Sequence, residues 1–460
     1  MPTSPIRLGL VDFSILLLYL AAVVLLGLRA ARRRREGTED YILASRTLTL
    51  PSFVATLVPS FFGGTLGVGE YAYRFGVSNW LAQGVPYYAF ALLYAAFLAP
   101  RIRKAPGLTL PDHLHAAFGK PCAVLAAFLV FLLASPADEL LMLGTLAHWA
   151  SGLPLAPCLA GVAAACVGFL FTGGLRSDVW ANRLEFLFMF GGFSIILPFA
   201  YLALGGAGAL AARLPPSHLD WTGGNPPAYL ITWFFIALWT FVDPSFHQRV
   251  CAARDAATAR AGICVSVAFW CCFDFMTTTT GLYARALLPG LEQPLQAFPA
   301  LAQDLLPPAI KGLFLAGVAS STLAALGTTS FLAAVSIGRD LAGRLLGVGE
   351  ARHEYWIRWG LLATCLLSFG MALAMPSVVD LWYTVGSCVI PGLLVPLLAA
   401  YFEPLRIPPW AAFSASLAGF LGSLLAWARG SAFPFYPGLA LSILAWIAGK
   451  LSTASSRPEA

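Results

Sequence analysis

Long apolar stretches run along this chain, separated by short polar breaks. A helix needs about 20 mainly apolar residues to cross the hydrocarbon of a bilayer, and by that rule the runs predict about 13 spanning helices. They fall near residues 9–28, 50–73, 80–100, 121–150, 154–172, 184–206, 227–247, 261–288, 309–336, 356–375, 378–402, 408–428 and 433–449. A membrane β-barrel would instead alternate over segments of about 10 residues. The pattern therefore predicts an all-α polytopic membrane protein.

Composition removes the other classes. Hydrophobic residues make up 59% of the chain and charged residues 11%, against about 45–50% and about 25% in a soluble domain. Neither a soluble globular enzyme nor a disordered chain has this balance. Nine cysteines are scattered, mostly inside apolar runs, and are expected to be small buried hydrophobes. The first apolar run has no basic flank beyond Arg7 and no small-residue cleavage site, so no cleavable signal peptide is expected.

Placing the charges gives direction. With residues 29–46 on the cytoplasmic side and the loops alternating from there, all 28 lysines and arginines fall inside except Arg7, Arg74, Arg213, Arg285, Lys311 and Arg429. The positive-inside rule then predicts an outside N-terminus, a cytoplasmic C-terminus and an odd number of spans, as in a bacterial-type inner membrane. No basic patch points to nucleic acid, and no P-loop points to an ATP-driven pump.

Two spans are interrupted. Residues 51–76 carry Pro51, Pro59, Gly63, Gly64, Gly67 and Gly69, and residues 227–250 carry Asp243-Pro244. A freed backbone group cannot face lipid, so such breaks border a polar cavity or serve close packing. Each interrupted span opens a run of about five spans, the arrangement of an inverted-repeat transporter. The layout is then an N-terminal extra helix and basic loop over 1–49 and a first repeat over 50–206. An extracytoplasmic loop follows over 207–226, a second repeat over 227–402, and two C-terminal helices with a tail over 403–460. Ser60, Gly63, Gly64, Thr65 and Gly67 of the first break, with Trp233, Phe235 and Trp239 of the second, are the candidate solute-binding residues.

Ionisable groups at membrane depth are costly and mark function. Asp138, Glu139 and Asp274 lie near mid-span and are candidate coupling groups; Asp138 is also a candidate solute contact. Adjacent helical residues point about 100° apart, so Asp138 and Glu139 are not expected to face one small site together. Glu70 is expected to pair with Arg74 one turn on, and Asp243 to cap a helix or pair with Arg249 near the inner surface.

At this point the residues resemble the sodium:solute symporter family. Asp40-Tyr41-Ile42-Leu43-Ala44-Ser45-Arg46, Gly67-Val68-Gly69 through Tyr71, Tyr73 and Gly76, Gly173-Gly174-Leu175 through Val179-Trp180, Gln248-Arg249 with Ala252-Ala253, and residues 312–341 are similar to its motifs, in order and spacing. The resemblance implies a LeuT-like core of ten helices in a 5+5 inverted repeat, with one helix before it and two after. It also implies a sodium ion between the first broken span and residues 309–336. Carbonyls near Leu57 and Ser60 would hold it together with two hydroxyls, which align with Ala324 and Ala325. A methyl group cannot ligate a hard cation. Ser321 and Thr328 lie within a turn of the vacant positions, and the family's acidic residue on the sodium exit route falls at Asn182.

These readings imply a secondary active transporter of a small polar organic solute, working by alternating access, with sodium coupling in doubt. The alternatives are an uncoupled or proton-coupled carrier, or a solute sensor on the same fold that does not transport. No enzyme activity is expected, and no cofactor beyond sodium or protons as coupling ion. The expected partners are a small solute and the lipid bilayer, with no sign of an obligate protein partner.

Overall fold

The computed structural model describes residues 7–32, 38–349 and 352–455. Arg33, Arg34, Arg35 and Arg457 of the charge pattern lie outside the described residues. The described residues are mainly helical, and among them the one β-bridge is an isolated parallel contact between Leu48 and Ala253.

Eleven helices among the described residues are long and apolar enough to cross a membrane. The pair Leu50–Phe61 and Thr65–Phe75, bent by 53°, makes a twelfth span. Twelve of the expected windows thus have a counterpart. The thirteenth, 154–172, falls on the first part of the continuous helix Leu155–Leu204, of which Leu155–Gly168 is an apolar stretch. Its apolar run gives way to the polar segment Thr172-Gly173-Gly174-Leu175-Arg176-Ser177-Asp178, and the helix continues through it to Leu204.

Local chemistry explains the interruptions. Phe62, Gly63 and Gly64 separate the first two half-helices. A Cβ on Gly63 would lie 1.9 Å from the Ala325 methyl, and one on Gly64 would lie 2.1 Å from the Trp382 ring. Glycine is required here because neighbouring helices come within backbone contact. Two further helices, Pro227–Ile236 and Pro244–Ala252, flank the short piece Trp239–Val242. Pro244 has no N–H and drives Asp243 into an extended conformation. The Asp243 carboxylate then caps the next helix, accepting from the amides of Ser245 at 2.6 Å and Phe246 at 3.1 Å. A third interruption was not expected: the span over 121–150 divides at Ala134–Pro136 into Lys120–Leu133 and Ala137–Ser151.

Polar ties hold the spans in place. Asp12, fully buried in the first helix, accepts from the amides of Ala309 at 2.9 Å and Gly312 at 3.0 Å. It also pairs with Lys311 at 3.4 Å. Glu70 and Arg74 pair at 3.2 Å. Lys311 and Arg74, two exceptions to the charge pattern, are therefore each neutralised by a carboxylate. Leu48 donates to the Ala252 carbonyl and accepts from Arg254, which joins the entry of the first broken span to the end of the second. Six cysteines are buried, but Cys264, Cys271 and Cys272 are exposed, because they occupy the outer face of Ala256–Leu287.

Outside the spans, Asp112 begins the short helix Leu110–Phe118 and bonds Arg339 at 3.0 Å, Arg344, and the Leu108 amide at 2.9 Å. Burial pushes its carboxyl up, but the two guanidiniums and the amide outweigh burial and hold it at about 2. A depressed carboxyl stabilises the fold fully above its unfolded value, near 3.9, and loses that contribution as pH falls toward 2; the stake is about 2 kcal/mol. Asp112→Asn is expected to lower the thermal midpoint at pH 7 and to flatten its fall below pH 4, as read by unfolding in detergent at stepped pH.

Candidate functional site

The three interruptions meet around a cavity of about 150 Å³. The first break contributes Ser60, Gly63 and Gly64, the second Trp239, Asp243 and Ser245, and the third Ser135, Asp138 and Glu139. Tyr87, Tyr88, Trp270, Asp274, Thr329 and Trp382 close the remaining walls. A cavity of this volume holds a molecule about the size of benzene.

The third break decides how the acidic groups sit. Helix Ala137–Ser151 begins immediately before Asp138 and Glu139, so both lie in its first turn at the cavity's edge, where the helix end favours negative charge. Adjacent helical residues still point about 100° apart, yet both line the cavity, because it borders the start of this helix. Asp138 accepts from the Trp382 indole N–H at 2.7 Å. Asp274 accepts from the Tyr88 hydroxyl. Asp243 also lines the cavity rather than the inner surface, since its helix starts at cavity depth.

Other candidates are placed elsewhere. Thr65 is fully buried and shares a hydrogen bond with Ser321. Gly67 lies under Trp382 and Val378. Trp233 is fully buried edge-on against Tyr71, and Phe235 stacks on Phe435. These four do not line the cavity; for Trp233 and Phe235 the turn at Ala237–Leu238 brings Trp239 to the cavity and leaves the preceding aromatics in packing contacts.

At the positions aligned with the family's sodium ligands, Ala324 and Ala325 are buried and Ala325 lies against Gly63. The nearby hydroxyls are already engaged. Ser321 bonds Thr65, Thr328 donates to Asp178 at 3.1 Å, and Thr329 donates to the Ala325 carbonyl at 2.8 Å. Ser60 bonds back to the Thr56 carbonyl at 2.6 Å, and Leu57 is buried in the core.

Asn182 donates to Asp178 at 3.2 Å. Asp178 in turn pairs with the fully buried Arg249 at 3.0 Å. The carboxylate at this end of the bundle is thus one helical turn before Asn182, and Arg249 pairs with it rather than with Asp243. Its sequence signal was available: an acid four residues from Asn182 shares its helix face. Trp270, Trp382 and Tyr88 had no such signal, since aromatics abound in every span.

A sequence model of the sodium:solute symporter family matches residues 41–419. The chain belongs to the sodium:solute symporter family. It is 23% identical to the sodium/glucose cotransporter of Vibrio parahaemolyticus over 75% of this chain and 71% of that one. It is 24% identical to the sodium/pantothenate symporter of Escherichia coli strain K12, with 71% of each chain covered. Its fold is LeuT-like. A solved structure of a Na+-coupled sialic acid symporter, substrate-bound and outward-open, superposes with a TM-score of 0.83 at 16% identity, over 98% of this chain and 99% of that one. A solved nucleobase-cation-symport-1 family transporter superposes with a TM-score of 0.60 at 13% identity, over 91% and 95%.

Removing one partner of a buried ion pair strands the other charge and costs about 3–5 kcal/mol. Arg249→Met is expected to lower the unfolding midpoint sharply, and Arg249→Met with Asp178→Leu to recover most of the loss. Thermal unfolding in detergent checks this; a double variant no more stable than the single one would refute the pairing as the cause.

Proposed function

We propose that this chain is a secondary transporter that moves a small organic solute across a membrane by alternating access, and that it lacks the family's usual sodium coupling. The observation that carries this reading is the cavity framed by three helix interruptions. Helices end inside a bilayer only where protein or a polar cavity receives their free backbone groups. A site between such ends, reached from either side in turn, is how transporters of this architecture work.

The solute site comprises Ser60, Gly63, Gly64, Trp239 and Asp138. Against a sodium ion of the family's kind stand the methyls of Ala324 and Ala325 and the engaged hydroxyls of Ser321 and Thr328. A sodium ion wants oxygen ligands, and the methyls of Ala324 and Ala325 supply none. The arginine-rich loop side is the cytoplasm of a bacterial-type inner membrane, with the N-terminus outside, on the charge pattern. A second reading, proton coupling, is favoured by the unpartnered oxygens of Glu139 and Asp274 in the cavity.

Counterflow in proteoliposomes tests transport. Vesicles preloaded with a solute from a panel of sugars, amino acids, carboxylates and amines are expected to accumulate labelled external solute, equally in sodium and in potassium. Binding without exchange for every solute would make the chain a sensor. Uptake that requires sodium would restore the usual mechanism. Acidification that accompanies uptake and disappears in Asp274→Asn would establish the proton-coupled reading.

A further inference from the structure

Four carboxyl groups line the cavity: Asp138, Glu139, Asp243 and Asp274. No lysine, arginine or histidine among the described residues lines it. Several acids elsewhere in the molecule are instead paired with a cation. Asp12, Glu70, Asp112, Asp178 and Asp340 each have a lysine or arginine within ion-pair distance.

Protein groups meet only part of what the cavity acids require. Asp243 is satisfied by its helix cap, Asp138 has the Trp382 indole, and one oxygen of Asp274 has Tyr88. Glu139 Oε2 and Asp274 Oδ1 have no hydrogen-bond partner, and these residues are only 5% and 1% exposed. A buried acceptor left unpaired is destabilising, and a buried charge more so. Aromatic side chains form part of the remaining wall, among them Phe61, Tyr87, Trp239 and Trp270. Ring faces carry negative quadrupole density and attract cations.

Resting on the transport reading above, we infer that the solute is a small organic cation bearing N–H donors, a primary ammonium or guanidinium, held between Glu139 and Asp274 against the aromatic wall. The N–H groups supply the two missing bonds, and the positive charge offsets the acids. An anion would face four acids with only neutral donors such as the Gln83 amide to offset them, and a neutral hydroxyl compound would bring no positive charge. Such a solute also carries its own charge across the membrane, so an inside-negative potential drives it inward without a sodium ion. The absence of hydroxyls at Ala324 and Ala325 is then consistent with the cavity's acidity.

Four probes of nearly one shape separate charge from size: tert-butylammonium, tetramethylammonium, tert-butanol and pivalate. Binding to the purified full-length protein is read by fluorescence of the cavity tryptophans and by thermal shift. Tert-butylammonium is expected to bind at least ten-fold more tightly than tert-butanol. Tetramethylammonium, which lacks donors, is expected to fall between them, and pivalate not to bind. Asp274→Asn and Glu139→Gln should each weaken tert-butylammonium about ten-fold, and Glu139→Asp should retain the preference for cations. Tert-butanol or pivalate binding as tightly as tert-butylammonium, or neither cation binding the wild-type protein, overturns the inference whatever the variants do. Cation binding without counterflow supports the recognition site and removes the transport reading. Counterflow of sugars or carboxylates with no cation preference does the reverse.

Discussion

Lipid offers no hydrogen bonds, and that constraint organises the molecule. A helix that stops halfway across a bilayer exposes amides and carbonyls which only protein or a polar cavity can receive. In this chain the stops at Phe62–Gly64, Ala134–Pro136 and Ala237–Asp243 gather around one cavity, each sheltered by neighbouring spans. Gly63 and Gly64 allow this: without a Cβ, they let Ala325 and Trp382 close over the first break. The reading of these glycines as packing residues and the reading of them as cavity residues therefore describe the same arrangement.

Charge is managed by a companion rule. Burying an ion without a partner is expensive, so Asp12, Glu70, Asp178 and Asp340 each face a guanidinium or ammonium. Lys311 settles against Asp12 and Arg249 against Asp178, each joining two separate spans. Among the exceptions are the cavity acids. They stand at helix starts or on aromatic walls, and what they lack is a donor from outside the chain. Of the acidic groups in the spans, they are the ones gathered where a solute could reach them.

Membership of a sodium-coupled family sets an expectation that particular atoms do not meet. By the resemblance in sequence, the hydroxyl ligands would fall at Ala324 and Ala325, and the hydroxyls nearby bond to each other or to the helix. A family architecture can keep its alternating-access frame while the chemistry at one contact changes, since the frame rests on helix packing and the ion on a few oxygens.

The sequence alone was enough to establish the membrane class, nearly all the spans, two of the three interruptions and the family. These depend on sums over about twenty neighbouring residues, or on proline and glycine, whose effects on the backbone are local. The carboxylates at 138, 139 and 274 could be singled out because any charge at that depth is conspicuous. What tertiary structure decided was convergence. The interruption at Pro136 puts Asp138 and Glu139 together at one helix start, the turn at Ala237 brings Trp239 to the cavity while Trp233 and Phe235 pack against other helices, and Asp178 rather than Asn182 meets Arg249. Each of these depends on the rotational phase of one helix against another, which packing across the whole bundle sets and no short stretch of residues encodes.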